Sequence, residues 1–205
     1  MLIAFEGMDG TGKTTQMQLL YEWLIKKNKK VFLTKQPGGS KFGEKIREIL
    51  LYDKEDISDL AIVAMFMADR AQNVDKIIMP KLKEGYMVLC DRYTDSTIAY
   101  QGYGKGINLK DLLVLNKFSS HSLTPNFIIY LDINFKVGLE RAKKVTNKQD
   151  NFEKLDNDFF QKVKYGFRKQ YLKNRNKSIW IDIDNLSIEE VHQEIIKYLE
   201  DKMNV

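Results

Sequence analysis

Gly7, Gly12, Lys13 and Thr14 keep the spacing Gly-x4-Gly-Lys-Thr within the stretch FEGMDGTGKTT, residues 5–15. Glycines so placed let successive backbone N–H groups converge on one anion, and a helix starting just after them adds the positive end of its dipole. Gly7, Gly10, Thr11, Gly12, Lys13, Thr14 and Thr15 are therefore expected to cradle a nucleotide's phosphate chain. Lys13 would reach the β- and γ-phosphates, and the Thr14 hydroxyl would take a Mg²⁺ position. Asp9 puts a negative charge inside an anion-binding loop, so it is expected to face something other than phosphate.

Four further stretches carry chemistry. An apolar run at 86–90 ends in Asp91-Arg92-Tyr93. In phosphate-loop folds a strand ending in Asp steadies Mg²⁺, directly or through water. Arg92 beside it is suited to bridging the phosphates of two substrates; the alternative is an ion pair at a strand end. Lys35-Gln36-Pro37-Gly38-Gly39-Ser40 lets backbone approach a ligand closely, although a plain turn fits this stretch equally well. Beyond it, Arg47 is a candidate for an acceptor's phosphate. Phe66 and Arg70, four apart, share one helix face, where a ring and a planar fork can stack on a base and bond its edge. Taken alone, Phe66 also fits a core position. Ser96, Thr97, Tyr100 and Gln101 place hydroxyls, a phenol and an amide along a helix after Asp91, fit for a base and its sugar.

These residues need a frame. Apolar runs at 2–5, 31–33, 86–90, 127–131 and 179–181 read as buried strands, with amphipathic stretches at about 13–27, 41–51, 57–84, 109–120, 135–144, 156–174 and 188–201. Asn28 and its flanking lysines end the first helix, and Ser187 with Glu190 forms a capping box at the last. Strands alternating with helices predict a parallel sheet covered on both faces, with ligands at the carboxyl ends of the strands. Every stretch named above falls at such an end.

Composition narrows the class. The 205 residues suit one domain, 43% hydrophobic and 30% charged, with no apolar run near the length of a membrane span. The N-terminus lacks a leader pattern and there is one cysteine, Cys90, so a reducing cytoplasm is expected. The net charge of +5 comes from lysines interleaved with acids, which predicts solvated helix faces and small anionic ligands rather than nucleic acid. His121 and His192 have no companions at metal-ligand spacing. Asn147-Lys148-Gln149-Asp150 matches a guanine-reading signature, but follows a helix rather than an apolar strand, so it reads as a chance match.

In their order along nearly the whole chain, these motifs resemble the thymidylate kinase family of the bacterial type. The resemblance rests on Phe5 to Gln16, Pro37-Gly38-Gly39, Arg70, Asp91-Arg92-Tyr93 and Ser96 to Gly102. It implies a three-layer α/β fold of the P-loop NTPase type, with a five-stranded parallel sheet flanked by helices and a mobile lid at about 141–154. It also implies transfer of the γ-phosphoryl of ATP to dTMP, with Mg²⁺ held by Thr14 and Asp91. By the same carry-over Asp9 holds the sugar 3′-hydroxyl, Arg47 and Arg92 the dTMP phosphate, and Phe66 stacks on thymine. Arg70, Thr97 and Gln101 would read the base edge, Tyr100 would pack under the deoxyribose, and Pro37 and Ser96 would line the same pocket. The alternative is a kinase of another nucleoside monophosphate or small metabolite on the same fold; a nucleotide-dependent switch without transfer would fit the loop but have no need of the acceptor residues Asp9, Arg92, Phe66 and Arg70.

Two departures from the family stand out. Lys35-Gln36 replaces the usual Arg-Glu, so a carboxylate that could serve Mg²⁺ or water is missing. Asn151 stands where a lid arginine is usual, and Gly10 where some members carry an arginine in the loop. The second cation of transfer is then expected from 141–154, with Arg141 the best candidate and Lys143, Lys144 and Lys148 weaker ones. Residues 60–67 are apolar nearly all round, which predicts a homodimer through the helix at about 57–75; burial within the monomer is the alternative.

Overall fold

The structure, a computed structural model, describes residues 1–53, 55–145 and 156–203, with backbone alone for 142–145. Five strands, β1 (Leu2–Glu6), β2 (Val31–Lys35), β3 (Met87–Asp91), β4 (Phe127–Asp132) and β5 (Ser178–Asp182), form one parallel sheet in the order β2-β3-β1-β4-β5. β1 is central and buried throughout, as a strand covered on both faces must be.

Alternate residues of each strand feed two cores. Ile3, Phe5, Leu89, Ile129 and Leu131 pack on one side against α1 (Lys13–Lys26) and α9 (Ile188–Met203) through Leu20, Leu24, Ile195 and Leu199. Leu2, Ala4, Val88, Ile128 and Tyr130 pack on the other, against α8 (Asn157–Asn174) through Phe160, Val163 and Phe167. Burial of that apolar area, at about 25 cal/mol per Å², is the main stabilising term.

The expected helix at 57–84 is interrupted. α3 (Asp59–Asn73) runs into a π-helical turn (Val74–Ile78) and then α4 (Met79–Lys83). Pro80 has no N–H to donate to residue 76, and its ring crowds that carbonyl, so the wider turn absorbs the misfit. The site helix after β3 behaves similarly, with α5 (Thr94–Thr97) continuing as a π-helical turn (Ile98–Gly104). The sequence boundaries of the remaining elements agree within one or two residues: α2 (Lys41–Tyr52), α6 (Leu109–Ser119) and α7 (Phe135–Val145) complete the set. Ser187 and Glu190 bond reciprocally, at 2.7 and 3.2 Å, and Asn28 ends α1 with φ +57°.

Candidate active site

Gly12 caps α1 in the left-handed conformation (φ +78°) with no side chain to satisfy the first-turn N–H groups. Those donors are left for an anion. Lys13 is 6% exposed and folds back on the loop, its Nζ donating to the carbonyls of Met8 (2.7 Å) and Gly7 (3.1 Å). Burial, with the Arg92 cation nearby, lowers its pKa to about 8. Thr11 braces the loop from within by donating to the Met8 carbonyl, whereas Thr14 and Thr15 are exposed at the start of α1.

Asp91 ends β3 beside this helix. Its Oδ2 accepts from the Thr14 hydroxyl at 3.1 Å, and its Oδ1 is buried with no hydrogen-bond partner. A buried carboxylate oxygen without a partner is costly, and a hard cation beside a threonine hydroxyl would satisfy it. The residue pair expected to hold Mg²⁺ therefore fits one.

Arg92 follows at φ +66°, a strained conformation for a non-glycine residue. Its Nη2 donates to Asp9 Oδ1 at 2.7 Å and to the Tyr100 hydroxyl at 3.3 Å, and its Nη1 to the Gly7 carbonyl and Ser96 Oγ. The guanidinium also lies 5.0 Å from the Tyr100 ring centre. Desolvation alone would raise the Asp9 pKa, even with 40% of its side chain open to the cavity; Arg92 and Lys13 overcome it and hold the carboxyl at about 2. Asp9 is thus an anion paired with Arg92 and accepting from the Tyr100 hydroxyl, as its charge required.

This ion pair lines an open cavity of about 600 Å³, mouth included. Asp9, Arg92, Ser96 and Tyr100 line it together with Pro37, Arg47, Phe66, Arg70, Thr97 and Gln101. Every residue expected to bind the acceptor lines it. Gln36, Leu51 and Tyr93, which the sequence reading did not place there, line it too.

Arg70 is 2% exposed, and all five of its N–H groups are engaged. Nε donates to Gln36 Oε1 (3.0 Å), Nη2 to the Tyr93 carbonyl and Thr97 Oγ1 (both 3.1 Å), and Nη1 to Asn116 Oδ1 and the Met67 sulfur. Only the sulfur, at 3.7 Å, is a weak acceptor. Gln36 Nε2 reaches Asn73 Oδ1 at 3.3 Å, so its neutral amide links two residues of α3 instead of facing the Asp91 carboxyl. The loop that follows is pinned twice, Gly38 N–H donating to Asp69 Oδ1 (2.9 Å) and Arg47 to the Pro37 carbonyl (3.1 Å).

α7 packs directly on the phosphate loop. A Cβ at Gly10, which sits at φ +75°, would meet the Gly138 carbonyl oxygen at 1.9 Å. That contact explains why no arginine stands at position 10. Arg141 is exposed on α7, one turn beyond Gly138 and so on its neighbouring face. The rest of the expected lid, residues 146–154 with Lys148 and Asn151, lies outside the described residues, as does the Asn147 to Asp150 match.

Comparison with known proteins decides the family. The sequence model described as Thymidylate kinase matches residues 5–195. The chain belongs to the thymidylate kinase family. The thymidylate kinase of Thermosipho africanus is 40% identical over 200 residues, 98% of this chain and 98% of that protein. That of Kosmotoga olearia is 36% identical over 197 residues, covering 96% and 94%. A crystal structure of thymidylate kinase from Ehrlichia chaffeensis has a TM-score of 0.79 at 33% identity, covering 97% of this chain and 98% of that one. The five-stranded parallel sheet flanked by helices is therefore the thymidylate kinase form of the P-loop fold.

Residues that sequence reasoning missed sit beneath those it found. Glu6, 1% exposed, accepts from Tyr93 N, Ser96 N and Ser96 Oγ. Asn116 joins Arg70 to the Thr94 carbonyl. A charged residue at the end of a wholly apolar strand was the available signal for Glu6; Asn116 offered none.

Proposed function

We propose that the protein is an ATP-dependent dTMP kinase, working as a single domain over 1–205 and making dTDP in the cytoplasm. The observation that carries this reading is the Asp9–Arg92 pair at the junction of the phosphate loop and the cavity. A switch that only binds nucleotide has no use for a second cavity opening on its phosphates.

Loop N–H groups and Lys13 hold the donor phosphates, Lys13 exchanging loop carbonyls for phosphate oxygens. Arg92 and Arg47 hold the dTMP phosphate, so that one of its oxygens faces the γ-phosphorus in line with the leaving ADP. Transfer of this kind needs positioning and cationic stabilisation more than covalent chemistry from the protein. Thr14 and Asp91 would hold Mg²⁺, which would supply positive charge to offset that of the donor's phosphates. Phe66 covers one face of the thymine, and Thr97, Gln101 and Arg70 meet its edge. Arg70 does so by giving up its weak sulfur contact. Asp9 takes the 3′-hydroxyl, and Tyr100 closes on the deoxyribose where a ribose 2′-hydroxyl would crowd it. Arg141 supplies the mobile cation.

The enzyme is a homodimer in this reading. On α3, Val63 and Met67 are buried and Phe66 lines the cavity, so the outward apolar face is narrower than the sequence pattern indicated: Leu60, with Ala61, Ala64 and Ala68. α6, which packs against α3, adds Val114 (67% exposed) and Phe118 (81%). Such a face fits a second copy. Among the described residues no helix is long and apolar enough to cross a membrane.

A coupled assay of ADP release with ATP and dTMP, dUMP, dCMP, dGMP or AMP tests the acceptor assignment. Turnover is expected best with dTMP, lower with dUMP, and marginal with AMP and CMP-type acceptors. Equal efficiency with AMP would contradict it.

A further inference from the structure

We infer that Glu6 is the positioning residue for Arg92 and for the helical run that carries Ser96, Thr97, Tyr100 and Gln101; the inference rests on the kinase reading above. Glu6 is the last residue of β1 and is almost wholly buried. Its Oε1 accepts from the backbone N–H groups of Tyr93 (2.9 Å) and Ser96 (3.3 Å), and its Oε2 from Ser96 Oγ (2.5 Å). Tyr93 is the cap residue of α5 and makes no side-chain capping bond. A carboxylate from the central strand therefore takes the capping role that the local sequence leaves empty.

The third bond matters most for chemistry. Because the Ser96 hydroxyl gives its proton to Glu6, its lone pairs are turned toward Arg92, whose Nη1 donates to it at 3.1 Å. The chain runs guanidinium to hydroxyl to carboxylate, with its polarity set at the carboxylate end. Arg92 stands at a strained φ, and the bond to the next residue's N–H helps to fix it there. Burying this anion is expensive, since desolvation and the neighbouring Asp95 both disfavour its charge. An apolar side chain of the same volume would avoid burying the charge but would leave both N–H groups and the hydroxyl without their acceptor.

The test compares Glu6→Gln, Ser96→Ala and the double variant in the ATP and dTMP assay. The amide keeps the shape and one acceptor but offers N–H to Ser96 Oγ, reversing the chain. Expected is a fall in kcat/KM for dTMP of about 10²-fold, the scale of one misplaced cationic donor, with KM for ATP within about twofold. Ser96→Ala, which removes the hydroxyl between Glu6 and Arg92 and keeps both backbone bonds to Glu6, should fall in the same direction, and the double variant should be no worse than Glu6→Gln, because both break one chain. A folded Glu6→Gln with wild-type kcat/KM for dTMP overturns the inference, as does an equal loss for both substrates. Should Glu6→Gln fail to fold, wild-type kinetics in Ser96→Ala overturn it. The wild-type rate with dTMP is the separate control on the kinase reading: variants equal to an active wild type refute the positioning role and leave that reading standing.

Discussion

Arg92 and Asp9 meet at 2.7 Å, one from the end of β3 and the other from the phosphate loop, and both line the open cavity. Each is shaped by the other: Arg92 holds the Asp9 carboxyl at about 2, and Asp9 raises the guanidinium further above its ordinary value. The pair ties the donor loop to the acceptor wall. Asp9→Asn should therefore lower kcat/KM for dTMP by about 10²-fold, through a loosened Arg92 and a weakened sugar contact, while ATP binding changes little. Steady-state kinetics in both substrates check this.

Phe66→Ala should raise KM for dTMP more than it lowers kcat. Stacking acts on the bound base in ground and transition states alike, at a cost of about 0.5–1.5 kcal/mol beyond lost area. Arg70→Lys should be worse and should also lower Tm, because a lysine cannot replace a fork whose five donors are all engaged. Paired kinetic and melting measurements separate the two effects.

Arg141→Ala should lower kcat by about 10²-fold with the fold intact, the loss of one cationic donor in transfer. Gly10→Arg should fail to restore it and should lower Tm, since its Cβ collides with the Gly138 backbone. Wild-type kcat in Arg141→Ala would place the second cation on another residue.

If the proposed surface pairs two copies, Phe118→Asp with Leu60→Asp should give a monomer where the wild type is a dimer, in light scattering at micromolar concentration. A wild-type protein already monomeric there would contradict the partner surface.

Stability should fall between about pH 4.5 and pH 7. Desolvation, then Asp95, pushes the Glu6 pKa up from its ordinary 4.5 to about 7, so between those values the folded state binds more protons than the unfolded one. Its stability relative to unfolding then drops as pH rises. Asp95, also raised by burial, acts in the same direction. Asp9 works oppositely but lower: its contribution is present above 3.8 and is lost as pH falls through about 2. Urea midpoints across pH 4.5–7 should decline in the wild type and decline less in Glu6→Gln.

The sequence disclosed those parts of the site where chemistry dictates residue type and spacing. A phosphate loop cannot be built without its glycines and lysine, and β3 had to end in Asp91 to face Thr14. The sheet was legible because strands covered on both faces need continuous apolar runs. The support was not. Glu6 bonds residues 87 and 90 positions away, and Asn116 reaches Arg70 across 46, so no local pattern announces either. Gln36 looked like a lost carboxylate and is instead the amide between Arg70 and Asn73. The π-helical turn before Pro80 left the helical periodicity of 57–84 unbroken to the eye, because it shifts backbone bonds without changing which residues are apolar.

The most direct measurement follows the phosphoryl group itself. ATP labelled in the γ-phosphate is mixed with excess enzyme, Mg²⁺ and dTMP, and the label is traced within a single turnover in wild type and Lys13→Ala. The account predicts label in the β-phosphate of dTDP, little in free phosphate, and almost no transfer in the variant. Label released as inorganic phosphate, or transfer undiminished in Lys13→Ala, would contradict it.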